Sequence, residues 1–447
     1  MTKPILIVGA GISGLAAAYE LTRAGHPVRV REASSRAGGL IHTEQADGFT
    51  IEAGPDSVLN AKPAALDLIH ELGLERELMG VRQPGAFVLK GHTLHALPQP
   101  SFLGIPLTPE ALAQYDLLSP GGRARMAQEP GIPPGSGDDE SVGSFFRRRF
   151  GPETVDLIAQ PLLGGIHAGD IEELSMRSLF PRLLDAERSA FVRGLTTPGF
   201  GGIASPASGG AARKGFSALR GGMRTLVQAL EAALPPGTIE YNSRVESLDD
   251  PGASAVIIAA HAYSAARLLE PIDRDAARLC ARVPYVSTAS IALAWSRDDV
   301  PHPLNGTGFV VARRHSDVRI TACTWVSSKW DSRAPEGSVL LRAFIGGAHD
   351  PNAVDLSDEE LAAIARRDLA VVLGISAAPI VTRVYRWRRA GAQHLVGHLD
   401  RVHEIERRLA PRGIFVAGSG FRATGIPDCV ADGRRVAAEA IRYAQGD

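Results

Sequence analysis

The chain has 447 residues, 45 % of them hydrophobic and 22 % charged, so it is long enough for about three domains or one large two-part fold. This composition excludes a disordered chain and a small disulfide-stapled scaffold. Its 48 basic residues are balanced by 49 acidic ones, for a formal net charge of −1, which argues against nucleic acid as a partner.

The N-terminal segment carries the pattern of a dinucleotide-binding site. Ile5–Val8 predicts a buried strand, a glycine turn follows at 9–14, and 15–24 predicts a helix. Such glycines let the backbone approach a pyrophosphate, which then lies at the N-terminus of the helix. A second predicted strand, 28–30, leads to Glu32, which is placed to accept hydrogen bonds from ribose hydroxyls. The residues assigned to the cofactor here are Gly9, Gly11, Ile12, Ser13, Gly14 and Glu32.

The next segment, 36–39, indicates which dinucleotide binds. An arginine followed closely by two glycines, soon after the ribose carboxylate, is typical of FAD-binding oxidoreductases. Arg36 can neutralise a pyrophosphate, and Gly38 and Gly39 allow a second close approach of the backbone. FAD is therefore the expected cofactor.

The middle of the chain predicts a helix-rich insertion. Thr108 followed by Pro109 is a typical helix start, and 141–150 predicts another helix. The run of three arginines at 147–149 is interpreted as a solvated helix face. An apolar face, which either packs within the protein or contacts lipid, is formed by Ala111, Leu112, Tyr115, Leu117 and Leu118.

Motifs from the first strand to the last helix resemble the porphyrinogen oxidases of haem biosynthesis. The segments 52–57 and 161–170 carry this resemblance, together with a C-terminal strand at 413–418 that is followed by the 425–430 segment. The segments at 321–325 and 334–337 look most like the bacterial coproporphyrinogen III oxidases.

The resemblance implies an FAD- and oxygen-dependent enzyme that removes six electrons and six hydrogens from coproporphyrinogen III, yielding coproporphyrin III and three hydrogen peroxide. It implies hydride transfer from a meso carbon to flavin N5 and no dedicated catalytic base, since protons can leave to water. No metal is expected, because the histidines show no pairing typical of a metal site.

The implied fold is α/β: an FAD-binding Rossmann-type fold, like that of the amine oxidases and hydroxybenzoate hydroxylase, with a mixed-sheet substrate domain and a helical insert. The expected boundaries are 1–82, 216–262 and 400–447 for the FAD-binding domain, 83–97, 190–215 and 263–399 for the substrate-binding domain, and 98–189 for the insert, a candidate membrane-facing part.

The same resemblance assigns further site residues. Those implied at the cofactor, besides Arg36, Gly38 and Gly39, are Gly54, Pro55, Asp56, Ser57, Val245, Trp387, Gly418, Gly425, Ile426 and Pro427. Those implied at the substrate are Gly165, Ile166, Val310, Trp325, Phe344 and Lys214. Val310 and Trp325 are expected to sandwich one pyrrole ring, with Phe344 on the opposite face, although each residue could equally be core. Arg147, Arg148, Arg177, Lys214 and Lys329 are candidate partners of the substrate propionates.

One departure from the family bears on the substrate. Protoporphyrinogen oxidases of the plant and animal type carry a propionate-binding arginine shortly after a Leu-Pro pair, whereas Leu97-Pro98 here is followed by Phe102 and no arginine. Protoporphyrinogen IX nevertheless stays an alternative substrate. Two other classes also stay open: another flavoenzyme such as an amine oxidase or carotene desaturase, which should lack the 425–429 segment, and a non-enzymatic carrier of FAD or porphyrin.

Partners and location follow from weaker signals. Three cysteines, odd in number and far apart, favour a reducing cytoplasm, with the inner face of the cell membrane as a candidate peripheral location. The short apolar run near the N-terminus is interrupted by glycines and does not resemble an export signal. Oxygen is the expected co-substrate and ferrochelatase a candidate partner, and both monomer and homodimer stay open.

Overall fold

The computed structural model describes residues 3–192, 215–249 and 252–446, and the chain divides into two compact units. Unit 1 comprises Met1–Gly80, Arg213–Pro284 and His398–Asp447, and unit 2 comprises Val81–Ala212 and Tyr285–Gly397. The strands, in chain order, are β1 Ile5–Val8, β2 Val28–Arg31, β3 Thr43–Ala46, β4 Phe49–Glu52, β5 Val58–Leu59, β6 Leu78–Gly80, β7 Phe87–Lys90, β8 Thr93–Ala96, β9 Ser101–Phe102, β10 Ile105–Pro106, β11 Phe216–Leu219, β12 Ile239–Glu240, β13 Ala255–Ile258, β14 Tyr285–Ser296, β15 Gly308–Val311, β16 Ala322–Trp325, β17 Ser338–Gly346, β18 Val381–Ala392 and β19 Ile414–Val416. The helices are α1 Ile12–Arg23, α2 Ala64–Glu71, α3 Pro109–Ala113, α4 Pro120–Met126, α5 Val142–Phe150, α6 Pro152–Thr154, α7 Gly165–His167, α8 Met176–Leu179, α9 Pro181–Val192, α10 Arg224–Ala233, α11 Ala262–Leu269, α12 Arg274–Ala281, α13 Val326–Lys329, α14 Asp358–Leu373, α15 His398–Leu409 and α16 Ile426–Gln445, with a π-helix at Val155–Gly164.

Unit 1 is built on a parallel sheet with strand order β12-β2-β1-β13-β19. The central strands β1 and β13 are buried at every position, as expected for apolar strands covered on both faces. Helices α1 and α16 pack so closely that a Cβ atom on Gly433 would lie 2.3 Å from the backbone oxygen of Ser13. This Rossmann-type arrangement confirms the predicted α/β class.

Unit 2 contains a seven-stranded mixed sheet with strand order β18-β14-β17-β16-β15-β7-β8, in which β15 and β7 are parallel and the other neighbours antiparallel. One face packs against α14, whose start is fixed by a capping box between Ser357 and Glu360. On the other face, Val88 and Val310 contact the core of the helical part. The predicted mixed sheet is confirmed.

The two units differ from the expected domain boundaries at two places. Helices α11 and α12 belong to unit 1, where Arg408 of α15 binds Asp273 at the start of α12 with an Nε–Oδ1 distance of 3.0 Å. The helical part, 98–189, is grouped with unit 2, because its core includes Val88 and Ala312 from the sheet.

The apolar face of the helical part lies inside this core. Ala111, Tyr115, Leu117 and Leu118 are buried, so this face packs within the protein. Among the described helices, none has the length and apolarity that crossing a bilayer requires.

The interpretation of 147–149 as a solvated face is wrong for two of its three arginines. Arg149 is 3 % exposed and pairs with Glu129, while Arg148 pairs with Glu187 at 2.7 Å. Arg147 is half exposed and pairs with Glu172. Consecutive residues of an α-helix point in directions about 100° apart, so three arginines in a row cannot share one face.

Candidate cofactor cavity and substrate face

Unit 1 contains a cavity of ≈ 690 Å³ at the carboxyl ends of four neighbouring parallel strands. Val8, Arg31, Ala259 and Ala417, which end or directly follow β1, β2, β13 and β19, all line it. This edge of an open parallel sheet is where such folds bind dinucleotides. The sequence-assigned cofactor residues that line the cavity are Gly9, Gly11, Ile12, Ser13, Glu32, Gly38, Gly39, Pro55, Val245, Gly418, Gly425 and Ile426.

The glycine turn leaves a cradle that a side chain would fill. Helix α1 begins at Ile12 without a side-chain cap, so backbone N–H groups of its first turn are free for a ligand. A Cβ atom on Gly11 would meet nothing within 4 Å, which shows open space directly above the helix. Gly14, one turn later, does not line the cavity; a Cβ atom there would lie 2.0 Å from the oxygen of Gly9. The residues present therefore fit a pyrophosphate.

Glu32 is fixed at the cavity wall by hydrogen bonds to both of its carboxylate oxygens. Oε2 accepts from the backbone N–H of Ala10 at 2.8 Å, and Oε1 accepts from the N–H and hydroxyl of Ser34 at 2.8 and 2.7 Å. Oε2, which accepts from a single donor, keeps a second lone pair for a ligand hydroxyl, whereas Oε1 already accepts two hydrogen bonds. The carboxylate thus links the glycine turn to the position expected for a ribose.

Arg36 is used differently from the prediction. Its guanidinium donates to the backbone oxygens of Ala37 and Ile41 at 3.1 Å each and of Gly39 at 2.7 Å, and Arg36 is not among the residues that line the cavity. Burial, and secondarily the neighbouring Arg224, lowers the pKa of Arg36. The interpretation of Arg36 as a pyrophosphate cation is therefore not supported: with three carbonyl partners, it holds the shape of the glycine loop.

Four other residues assigned to the cofactor, Gly54, Asp56, Ser57 and Pro427, do not line the cavity. Asp56 is buried and accepts a hydrogen bond from the Ser57 hydroxyl at 2.7 Å. Gly54 precedes the lining residue Pro55, and Pro427 lies in the buried first turn of α16.

A buried carboxylate that the sequence analysis missed shapes the C-terminal wall. Asp432 is 5 % exposed and accepts the backbone N–H of the lining residue Gly418 at 2.8 Å. Burial raises the pKa of Asp432, and the ion pair with Arg435 at 2.7 Å opposes that rise. Asp432 lies in the second turn of α16, and no local sequence signal shows that its side chain turns back to the strand.

The segment after β13, which includes the start of α11, adds a wall that was also missed. Its lining residues include His261 and Tyr263, whose rings stack with centroids 5.0 Å apart. The signal was available, because β13 is a four-residue apolar run like β1, and parallel strands of one sheet end at the same edge.

Three buried thiols bear on chemical reactivity. Cys280, Cys323 and Cys429 are free, and burial raises the pKa of Cys280 and Cys429 to about 12 and that of Cys323 further. The described part of the chain brings no three His, Cys, Asp or Glu side chains together as a metal site. The thiols are therefore expected to behave as core side chains.

We expect the native protein to resist thiol labelling at pH 8. Burial raises the pKa of each thiol and shields it from reagents, so the thiolate, which is the reactive species, is scarce at this pH. Ellman's reagent should titrate three thiols in guanidinium chloride and essentially none beforehand. Rapid native labelling at pH 8 would contradict the burial of these side chains.

In unit 2, two of the predicted substrate residues lie in one row across the sheet. Val310 lies opposite Ala322, and Ala322 lies opposite Phe344, on the adjacent strands β15, β16 and β17. Residues directly opposite each other share a face, and all three are half-buried. We call this surface the substrate face. Tyr385 of β18 continues this row, and Trp387, two residues later on the same strand, points to the same face. Trp387 does not line the cavity of unit 1.

Trp325 is on the other face of this sheet, so its pairing with Val310 is wrong. It is 0 % exposed and packs in the core with Phe87 and His302, at ring-centroid distances of 5.5 and 5.0 Å. The reason is strand periodicity: Ala322 and Thr324 point to one face, whereas Cys323 and Trp325 point to the other.

Gly165 and Ile166 lie in the short helical turn that follows the π-helix, formed by α7 and Ala168, and the Ile166 side chain is 65 % exposed. Lys214 lies outside the described residues. Among the other propionate candidates, Arg147 and Arg148 are engaged with Glu172 and Glu187, and Lys329 lies 4.9 Å from the Trp330 ring centroid.

A buried cation on the substrate face was missed. Arg342 is 5 % exposed, shares its face with Phe344 two residues later, and places its guanidinium carbon 4.9 Å from that ring's centroid. In the sequence it stands inside an apolar strand, where an arginine signals burial with partners.

Comparison with known proteins identifies the family. Residues 12–441 match the model of the flavin-containing amine oxidoreductases. The chain is 36 % identical to coproporphyrinogen III oxidase of Bacillus subtilis (strain 168), over 99 % of this chain and 98 % of that protein. It is 32 % identical to coproporphyrinogen III oxidase of Staphylococcus aureus (strain NCTC 8325 / PS 47), over 99 % of both.

A solved structure from Exiguobacterium sp. 255-15, provisionally named a protoporphyrinogen oxidase, superposes with a TM-score of 0.86 at 30 % identity, over 98 % of both chains. At 98 % coverage of this chain, the match extends over both units. The chain therefore belongs to the flavin-containing amine oxidoreductase family and is an FAD-dependent oxidoreductase.

Proposed function

We propose that the protein oxidises coproporphyrinogen III to coproporphyrin III in haem biosynthesis, transferring six electrons to three molecules of oxygen and releasing three hydrogen peroxide. The observation that carries this proposal is the full-length similarity to relatives named coproporphyrinogen III oxidase. The substrate face supports it, because a half-buried apolar row across three strands suits a flat macrocycle.

The cavity of unit 1 is the proposed FAD site. The turn at Gly9, Gly11 and Ser13 would hold the pyrophosphate, Glu32 the ribose, and Val245 the adenine side. FAD, when bound, supplies the acceptor for the hydrogens removed from the substrate. The protein positions the two partners and excludes water, and no catalytic base is proposed.

We expect Glu32→Gln to raise the dissociation constant for FAD about tenfold or more. The amide keeps the shape of the side chain but loses the charge that strengthens its hydrogen bonds to Ala10 and to a ribose, each worth about 1.5–3 kcal/mol. Titration of the apoprotein with FAD, followed by flavin fluorescence, measures the change. Glu75→Gln, at a surface carboxylate outside the cavity lining, should leave the affinity within twofold.

Val310 and Phe344 on the substrate face, and Gly165 and Ile166 in the adjoining turn, are the proposed substrate contacts in unit 2, with Lys214 as a proposed propionate partner and Trp387 as the proposed flavin neighbour. The turn is tied to β17 within this unit, because Ala348 N–H donates to the oxygen of Ala168 at 2.8 Å. The lack of an arginine after Leu97-Pro98 favours coproporphyrinogen III, and the half-buried Phe102 occupies that region.

The proposal includes a cytoplasmic location and a partner. Free, buried cysteines are typical of a reducing compartment. The proposed product is a porphyrin ready for metal insertion, so ferrochelatase is the proposed partner. A peripheral membrane contact of 98–189 would have to use a surface other than the buried one around Tyr115.

Anaerobic reduction of the bound flavin tests the substrate. We expect coproporphyrinogen III to bleach the flavin band faster than protoporphyrinogen IX, and porphyrin fluorescence to appear with three hydrogen peroxide per macrocycle once oxygen is admitted. Faster bleaching by protoporphyrinogen IX would reassign the substrate within the same reaction class, in line with the 28 % identity to the mitochondrial protoporphyrinogen oxidase of Nicotiana tabacum. Bleaching by neither would overturn the proposal.

A further inference from the structure

The turn that carries Gly165 and Ile166 follows an unusual helix. Val155–Gly164 is a π-helix of ten residues with Pro161 inside it. Such wide helices are rare and occur mainly at functional sites. The turn after it ends at Ala168 in the left-handed conformation, with φ 50°.

One partly buried amide, that of Gln160, holds this turn from the helix side. Gln160 Nε2 donates to the oxygen of Gly169 at 2.9 Å, and its Oε1 accepts from the N–H of Ile171 at 3.1 Å. The side chain therefore closes a loop of about ten residues onto its own helix. Because both ends of the amide are used, its orientation is fixed as well as its position.

A second amide, which is fully buried, holds the turn from the sheet side. Gln393 directly follows β18 and is 4 % exposed. Its Nε2 donates to the oxygen of His167 at 3.0 Å and to the oxygen of Gly391 at 3.2 Å. The fit is tight, since a Cβ atom on Gly169 would lie 2.3 Å from Gln393 Oε1.

These contacts connect the turn to the two strands that carry the aromatic side chains of the substrate face. Gln393 follows the strand that carries Trp387, and Ala348, whose N–H binds Ala168, follows the strand that carries Phe344. A buried amide is costly unless its hydrogen bonds are made, so these contacts define one position of the turn. Ile166 is the side chain that this position presents to solvent.

We propose that Gln393 is a positioning residue for substrate binding: it fixes the turn so that Ile166 contacts the edge of the macrocycle held on the substrate face. Gln393 acts through Ile166 and does not itself touch the substrate. This inference rests on the proposed function and deepens it, because it names the residue that sets how tightly the macrocycle is held.

A double-mutant cycle in the FAD-loaded enzyme tests the inference. Gln393→Met keeps the length of the side chain and removes its hydrogen bonds, and we expect it to raise KM for coproporphyrinogen III about tenfold with kcat within twofold. Ile166→Ala should give a similar change, and the double variant should be little worse than either single one. Gln128→Met, at an exposed glutamine, should change neither constant. If KM of the double variant rose by the product of the two single increases, or if kcat fell with KM unchanged, the proposal would be overturned.

Amide hydrogen exchange tests, without substrate, whether Gln160 and Gln393 hold the turn in place. In Gln393→Met and in Gln160→Met, exchange across 164–171 should speed up at least tenfold, while the strands β14 and β17 keep their protection. Unchanged exchange in both variants would overturn the positioning role. If the wild-type enzyme oxidises neither porphyrinogen, the proposed function fails. The exchange result still decides whether the two glutamines hold the turn.

Discussion

Gly11→Val should produce a folded protein that has lost FAD. A Cβ atom at this position would meet no protein atom within 4 Å, and the backbone there is extended, with φ −66° and ψ 172°, which valine adopts without strain. The new methyl groups would instead occupy the cavity above the first turn of α1. Losing two charge-assisted hydrogen bonds to a pyrophosphate costs about 3–6 kcal/mol, so FAD affinity should fall at least a hundredfold.

Gly14→Ala is the matched variant, because it fails for a different reason. Its Cβ atom would lie 2.0 Å from the oxygen of Gly9, and the contact is between backbone and the first side-chain atom, so no rotamer relieves it. We expect a loss of about 3 kcal/mol or more in the free energy of unfolding. Circular dichroism melting and the flavin content of the purified proteins separate the two outcomes. A yellow, fully loaded Gly11→Val protein would contradict the placement of FAD in this cavity.

The parts of the site that could be predicted are those where a local pattern determines the geometry. The strand, glycine turn and acidic residue are consecutive in the sequence, and the backbone conformation they require brings Gly9, Gly11 and Glu32 to one cavity. Val310 and Phe344 were assigned to the substrate from resemblance, with Phe344 on the opposite face of the ring, whereas the register of β15, β16 and β17 places both on one face of the sheet.

The parts that could not be predicted depend on contacts between residues far apart in the sequence. Trp325 was paired with Val310 from the family resemblance, but only the register of β15 and β16 shows that they point to opposite faces. Gln393 binds a turn 226 residues away, and no local signal marks it. Asp432 likewise reads as an ordinary polar helix residue until its bond to Gly418 is seen.

Glu129 makes such a long-range contact. We expect the loss of its side chain to lower the free energy of unfolding the most. Glu129 pairs with Arg149 in the core of the helical part, where the side chains are 7 % and 4 % exposed, and Arg149 also lies 3.4 Å from Glu187. Burial lowers the pKa of Arg149, which reports the cost of holding this charge away from water. Glu129→Ala would remove one of the two carboxylates that pair with this guanidinium and leave only Glu187 beside it, and we expect a loss of about 3–5 kcal/mol.

The same helix provides the control. Arg147 pairs with Glu172 at the surface, where the side chains are 48 % and 41 % exposed, so Glu172→Ala should cost under about 1 kcal/mol. Thermal unfolding measures both, at roughly 2–4 °C per kcal/mol for a unit of this size.

If the penalty comes from the stranded charge, the double variant Glu129→Leu with Arg149→Met should recover most of the stability, because two apolar side chains leave no charge to desolvate. If Glu129→Ala unfolds at the same temperature as the wild type, Glu187 alone is sufficient to stabilise the charge of Arg149. A double variant no better than the single one would place the stability in the packing of this core instead.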